Sequence, residues 1–415
     1  MTSITPEEHL AWILDRIGRL PAESLPIAEA AGRTLAEPVF ARHPLPLWDN
    51  SAMDGYALRS EDVAAAGDEN PVPLTVVGEV RAGAATMPRI AAGEAVRIMT
   101  GAPIPDGADA VVALERTASE HGPSQWADES VLVHEAALSG RNIRLQGEDV
   151  LSAAQVAAEG EELSALRVAA LVAAGIERVS VSRSPRVAVI ATGAELRRAG
   201  EPLAHGQIPE SNTSLIAGLL RDASMQPVSV EHCSDDADTL SSILAARSRI
   251  ADVIVTTGGI GPGVSDVTRI ALEGHPDVKP VHVAIRPARP QSAGRLRSGA
   301  FVFALPGNPV SAAVSFELFI RPALLAVQGR ERIHRLRIPA TAASDWPGVK
   351  GRLQVLPVTV RDDGGALLCA PAVNPRGVSH AVGGQGSANG FALVGPERGD
   401  VRSGETVPVV LVGAQ

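Results

Sequence analysis

Lysine is nearly absent from this 415-residue chain: Lys279 and Lys350 are the only two among 37 basic residues, set against 47 acidic ones for a net charge of −10. No Lys/Arg tract is present that would follow a phosphodiester backbone, so nucleic acid is excluded as a partner. Cysteine is as scarce. Cys233 and Cys369 lie far apart, and no C-x-x-C or H-E-x-x-H spacing occurs, which argues against structural zinc and a disulfide framework. Aromatic residues make up only 3%. No apolar run reaches membrane-spanning length, and the first twenty residues carry early acids and an amphipathic period instead of a basic region followed by an apolar core. The expectation is a cytoplasmic protein without a membrane partner.

What is present suffices for ordered cores: 45% of residues are apolar and 20% charged. The length suggests roughly two to four domains. Thr5-Pro6-Glu7-Glu8 has the form of a capping box with proline at the first helical position, and Leu10, Ile13, Leu14 and Ile17 follow at helical spacing. From about 70 to 140, short Val-rich runs divided by Gly/Pro turns indicate a β-rich domain. A second helical passage follows at about 152–175. Between 186 and 326, strand-like runs such as "RVAVIAT", "ADVIVTT" and "AFVFAL" alternate with helical segments. That alternation predicts a doubly wound, mainly parallel sheet. The expected architecture is multidomain α/β and β. Residues 1–45 with 141–178 form a helical linker region, 46–140 and 329–415 two small β-rich domains, and 179–328 the central α/β domain.

The segment "LWDNSAMDGYA" (47–57) holds the chain's only tyrosine, Tyr56, near Trp48, amid Asp, Asn, Ser and Gly that disfavour regular structure. It reads as an ordered loop: either one that carries function or a surface turn with an apolar plug. In an open α/β sheet, ligands bind beyond the carboxyl ends of the strands. The segments there bring Glu195, Asp235, Asp236, Asp266, Arg286 and Arg289 to one edge. The glycine loop 257–266 matches neither phosphate-loop signature: Val264 stands where the lysine of a P-loop would be, and its glycines do not make G-x-G-x-x-G. In "LPGNPVSA" (305–312), Asn308 reads as a helix cap and Pro309 as a first helical residue, giving an anion site beside Pro306, Gly307 and Ser311, with Gly258 and Gly259 as further ligand-binding candidates. Acids and anion sites on one edge suggest a phosphorylated ligand held through a divalent cation.

These stations, with "RIMTGAPIPDGADAVV" (97–112), "RNIRLQGEDV" (141–150), "ATGAEL" (191–196), "GQIPESN" (206–212) and "ALPGNPVSAAVSFELFIRPAL" (304–324), resemble, in order, the motifs of the molybdopterin molybdenumtransferases, or molybdenum insertases. The resemblance covers essentially the whole chain. It implies that adenylylated molybdopterin and molybdate become molybdenum cofactor and AMP in a magnesium-dependent step. It further implies a homodimer of four-domain subunits with shared active sites, and a transient contact with the molybdopterin adenylyltransferase that supplies the substrate. Asp54, Thr100, Asp149, Glu195, one of Asp235 and Asp236, and Asp266 fall on positions the family uses at its site; Glu195, Asp235, Asp236 and Asp266 are the candidate metal ligands. In this reading, Asp54 and Ser51 offer polar contacts to the ligand while Met53 and Tyr56 pack the loop. Two departures stand out: Arg286-Pro287-Ala288-Arg289-Pro290 replaces the family's K-P-G-K-P, and Gly259-Ile260-Gly261-Pro262-Gly263 replaces a serine-containing G-V-S-V-G. Charge is kept in the first, but a forked guanidinium replaces a compact ammonium. The alternatives are a molybdopterin adenylyltransferase and a non-catalytic cofactor-binding or scaffold protein.

Overall fold

The computed structural model describes residues 3–261, 263 and 266–412. Pro262 and Val264 of the glycine loop lie outside the described residues.

The first helix, Pro6–Ile17, begins as its sequence dictates: the Glu8 N–H donates to Thr5 Oγ1 at 3.1 Å and the Thr5 N–H to Glu8 Oε2 at 2.8 Å. Its buried stripe, Leu10, Ile13 and Ile17, joins a core containing Val187, Val189, Phe319 and Leu324. The helix therefore belongs to the α/β half and not to the linker region expected from sequence. The linker itself is mixed. Strand Ala22–Pro26 pairs antiparallel with Arg178–Ser182, and a single nine-residue helix, Ala165–Ala173, packs over Ile27, Leu35, Leu163 and Val181. The expected boundary at 178/179 falls inside that strand, where Val179 and Val181 both turn inward.

Residues 50–144 build a seven-stranded sheet in the order Ala110–Ala113, Gly55–Leu58, Glu94–Ile98, Val72–Val80, Ser130–Val133, Thr117–Ser119, Gly122–Pro123. Strand Gly55–Leu58 is buried on both faces. Tyr56 and Leu58 enter one core with Val112 and Val131, while Ala57 enters the other with Val96, Ile98 and Val111.

The α/β sheet runs Pro227–Cys233, Val187–Thr192, Val253–Thr257, Phe301–Leu305, Pro290–Arg295, Lys279–His282. The first four strands are parallel. Pro290–Arg295, whose Pro, Ser and Gly gave no strand signal, is antiparallel to both neighbours. Helix Pro309–Ala326 fills the core. It widens into a π turn at Phe316–Ile320 just before Pro322, which lacks the N–H that an α-helical bond would need. Among the described residues this is the one helix long and apolar enough to cross a membrane, and 78% of that span is buried inside the protein.

The carboxy-terminal strands Leu353–Asp363, Ala366–Pro371, Arg337–Ala342, Thr406–Leu411 and Gly390–Val394 close into a barrel, because the last pairs with the first. Ile285–Arg286 joins its edge, in register with Leu353 and Gln354. One hydrophobic core runs from the α/β sheet through the long helix into this barrel. Among the described residues, 46–146 share no core cluster and no backbone hydrogen bond with 187–412.

Tyr56 anchors the amino-terminal sheet: its ring sits 5.6 Å from that of Trp126, and its hydroxyl oxygen accepts the buried Ala127 N–H at 2.6 Å. Tyr56→Phe leaves that N–H without an acceptor and is expected to cost about 1–3 kcal/mol in denaturant unfolding. An unchanged midpoint and slope would contradict the anchoring role.

Candidate functional site

The carboxyl edge of the parallel strands is where the acids gather. The turn after Val187–Thr192 is held from two sides: His232 Nε2 lies 3.0 Å from the Gly193 carbonyl oxygen, and Asp235 Oδ2 accepts the Ala194 N–H at 3.0 Å. This turn presents Glu195, an exposed carboxylate with no protein hydrogen-bond partner among the described residues. Asp235 stands beside it, its Oδ1 without a protein hydrogen-bond partner among the described residues. Asp236 does not join them. It is the N-cap of helix Ala237–Arg247, where Oδ2 accepts the Thr239 N–H at 2.9 Å and the Thr239 hydroxyl; that hydroxyl bond, then the backbone one, lowers its pKa. The sequence could not separate the two aspartates; the structure separates them by local role, Asp235 holding the Glu195 turn and Asp236 the start of a helix.

Asp266 faces the glycine loop. Its Oδ1 accepts the Gly261 N–H at 2.8 Å and its Oδ2 the Gly263 N–H at 2.6 Å, so its carboxylate shapes the loop. Gly258 begins that loop at φ +99°, and a Cβ there would lie 2.5 Å from the Thr192 carbonyl oxygen, so only glycine fits. Gly259 follows, also with positive φ. The Thr268 hydroxyl closes the loop on the Gly258 carbonyl at 2.8 Å.

Next along the same edge lies a cavity of about 340 Å³ lined by Arg286, Arg289, Pro306, Asn308 and Ser311, and also by Arg352, Arg376 and Ser379 from the carboxy-terminal barrel. Arg286 Nη2 donates to the Arg376 carbonyl at 2.9 Å, tying the two sides together. Asn308 occupies the N-cap position before Pro309, but its side chain makes no capping bond, contrary to expectation. The Gly307 carbonyl is held by Asn212 Nδ2 at 2.7 Å. Arg352, Arg376 and Ser379 were missed by sequence reasoning. The one available signal was that arginine dominates the chain's basic residues; nothing local marked these three.

The loop 47–57 is elsewhere, on the amino-terminal sheet. Asp54 is exposed, and its Oδ1 accepts the Thr100 N–H at 2.7 Å and the Thr100 hydroxyl at 2.8 Å. These bonds, the backbone one first, hold its carboxyl below the ordinary range, and Oδ2 has no protein hydrogen-bond partner among the described residues. Ser51 is fully buried and donates to the Met53 carbonyl at 2.6 Å, so its hydroxyl is consumed by the turn instead of facing a ligand. Tyr56 packs as expected, but Met53 does not: it is 40% exposed, and the neighbouring Trp48 is 48% exposed. Asp149 is exposed on the returning linker, its backbone N–H bound to the Leu45 carbonyl at 3.0 Å.

No three of Glu195, Asp235, Asp236 and Asp266 bring carboxylate oxygens within 4.8 Å of one another. Among the described residues the trio that does satisfy this spacing is Glu120, His121 and Asp128, exposed on the amino-terminal sheet and away from the carboxylate edge.

Residues 4–175 match the family described as MoeA N-terminal region (domain I and II), 188–326 the probable molybdopterin binding domain, and 339–412 the MoeA C-terminal region (domain IV). Molybdopterin molybdenumtransferase 2 of Mycobacterium tuberculosis H37Rv is 34% identical over 409 residues, covering 97% of this chain and 98% of that protein. The chain belongs to the molybdopterin molybdenumtransferase family. The molybdenumtransferase of Bacillus subtilis is 32% identical over 394 residues, covering 94% of this chain and 90% of the relative. Among solved structures, the molybdopterin biosynthesis MoeA protein from Pyrococcus horikoshii OT3 superposes with a TM-score of 0.82 at 28% identity, over 99% of this chain and all of that one. The multidomain architecture of an α/β sheet, a closed barrel and a separate β unit is thus the family's own.

The division between Asp235 and Asp236 is testable by stability alone. Asp236→Ala is expected to lower the melting temperature, whereas Asp236→Asn, which keeps an acceptor oxygen for the Thr239 N–H, holds it near the wild-type value. Equal melting temperatures for all three proteins would contradict the capping assignment.

Proposed function

We propose that this chain inserts molybdenum into molybdopterin, taking adenylylated molybdopterin and molybdate as substrates and releasing AMP in a magnesium-dependent step. The observation that carries the reading is the adjacency, on one sheet edge, of free carboxylates and an arginine-lined cavity. The names of the full-length relatives support it. Arg286, Arg289, Arg352 and Arg376 supply forked donors that match tetrahedral oxyanions, and Ser311 and Ser379 add hydroxyls at the wall. Such a site suits molybdate and, with room to spare, the phosphate of the second substrate.

The donors on the acidic edge fit magnesium: among the described residues the Glu195 carboxylate and one oxygen of Asp235 have no protein hydrogen-bond partner, and both are hard oxygen donors. When bound, magnesium would offset charge on the phosphates of the adenylylated substrate. The residues' own work is separable from this. The backbone around Gly258 and Gly259 lets a ligand approach the strand ends closely, Asp266 keeps that loop in shape, and Glu195 can accept a proton from a water beside the ligand. Asp54 belongs to the same proposal through a second copy of the chain. Exposed, ionised and carried on a sheet that shares no core with the acidic edge, it would complete the site of the partner subunit in a homodimer. Asp149, on the linker that carries the sheet, would act with it.

Purified protein given adenylylated molybdopterin, molybdate and magnesium is expected to release AMP; a protein that releases none would be a binder and not this enzyme. Glu195→Gln keeps the shape and removes the anion, and should abolish magnesium-dependent turnover with unfolding unchanged. The reverse outcome, lost stability with activity intact, would make Glu195 structural. Arg352→Ala and Arg376→Ala should each weaken molybdate binding roughly tenfold to a hundredfold in calorimetry, the loss of a charge-assisted contact. Unchanged affinity in both would remove the barrel from the site.

A further inference from the structure

The arginine loop 283–290 is short of backbone donors, because Pro287 and Pro290 have no N–H. It also contains a residue in an unfavourable conformation: Ala288, buried, at φ +71°, in the left-handed region where glycine is the ordinary occupant. Something must hold it there. The barrel holds the front of the loop through Ile285 and Arg286, and the Val283 N–H bonds to the Arg289 carbonyl at 2.8 Å. At the back is Gln291, 3% exposed and at the first inner position of strand Pro290–Arg295. Its Nε2 donates to the Ala288 carbonyl at 2.8 Å and to Ser315 Oγ, on the long core helix, at 2.7 Å. The Ala288 carbonyl can only accept, so the group facing it is the amide NH₂, and each of its two hydrogens has one partner.

We propose that Gln291 is a positioning residue for the anion site, an inference that rests on the oxyanion-binding reading of the arginine cavity. By tying the Ala288 carbonyl to the rigid helix, Gln291 keeps the alanine left-handed. That backbone setting in turn aims Arg286 and Arg289, on either side of Pro287 and Ala288, at one cavity. A buried carbonyl released from this bond would turn toward another donor, and the two arginines would move with it. Gln291 touches no substrate; its effect is carried by the loop.

The test uses the full-length chain, with molybdate as the probe in calorimetry and AMP release for steady-state kinetics. Wild type is compared with Arg286→Ala, Gln291→Leu, Ser315→Ala and the double variant Gln291→Leu/Ala288→Gly. Gln291→Leu is expected to bind molybdate about tenfold more weakly, with KM for molybdate raised and kcat nearly unchanged. In the double variant, glycine adopts the left-handed conformation without the amide's help, so most of the lost affinity should return; a residue that merely filled the core would show no such rescue. Ser315→Ala removes one of the two anchors and should produce a smaller loss of the same kind. It decides the matter if Gln291→Leu does not fold. Molybdate affinity kept in Gln291→Leu, or in Ser315→Ala where that variant decides, while Arg286→Ala loses it, would overturn the role of Gln291 and leave the cavity's function standing. Affinity kept in Arg286→Ala as well, or no molybdate binding by the wild type, would overturn the cavity reading and this inference with it.

Discussion

Two residue pairs, Ile285 with Leu353 and Arg286 with Gln354, sew the α/β sheet to the carboxy-terminal barrel. The pairing is short, but it sits on a continuous core that includes Val189, Phe316, Leu356 and Val409, so sheet and barrel behave as one packed unit. Everything at the anion cavity depends on this. Its arginines come from both sides of the seam, and the Arg286 bond to the Arg376 carbonyl has meaning only if the seam is fixed.

Under the proposed function, the same edge solves an electrostatic problem set by composition. A chain of net charge −10 repels anions at long range, and a phosphorylated or oxyanionic ligand must find local compensation. The compensation is divided. Four arginines line one cavity, while Glu195 and Asp235, a short distance along the sheet edge, leave oxygens for a hard cation. Between them the glycine loop presents backbone, and Asp266 spends its charge on that backbone's N–H groups. The edge thus reads as three adjoining surfaces of different polarity, suited to a ligand whose own charge varies along its length.

What the sequence revealed was local or strongly patterned. The capping box of Thr5 and Glu8 spans three residues and needs no tertiary information. The buried parallel strands Val187–Thr192, Val253–Thr257 and Phe301–Leu305 announce themselves as mainly apolar, Val-, Ile- and Phe-rich runs because both of their faces are covered. Strand Pro290–Arg295 was illegible because tertiary pairing overrides poor propensity in Pro, Ser and Gly. Arg352 and Arg376 were illegible for a different reason: they reach the cavity through a barrel closure and a domain seam that no sequence window spans. Asp235 and Asp236 have identical chemistry and adjacent positions, and only the start of a helix tells them apart. In the loop 47–57, Tyr56 could be read as packing, but the inward turn of Ser51 and the outward turn of Met53 depend on a bend whose hydrogen bonds the sequence does not encode visibly.

Asp54 and the acidic edge are assigned to one site, yet residues 46–146 share neither core nor backbone hydrogen bonds with 187–412 among the described residues. In the proposed homodimer a second copy supplies the loop. The measurement that tests this most directly is complementation between Asp54→Asn and Glu195→Gln subunits carrying different tags, each inactive alone, refolded together and assayed for AMP release from purified heterodimer-containing mixtures. With random exchange about half of the dimers are mixed, and each mixed dimer holds one intact site, so roughly a quarter of wild-type activity should return in a two-fold symmetric dimer. Heterodimers confirmed by their tags that recover no activity would contradict the account and separate Asp54 from the acidic edge.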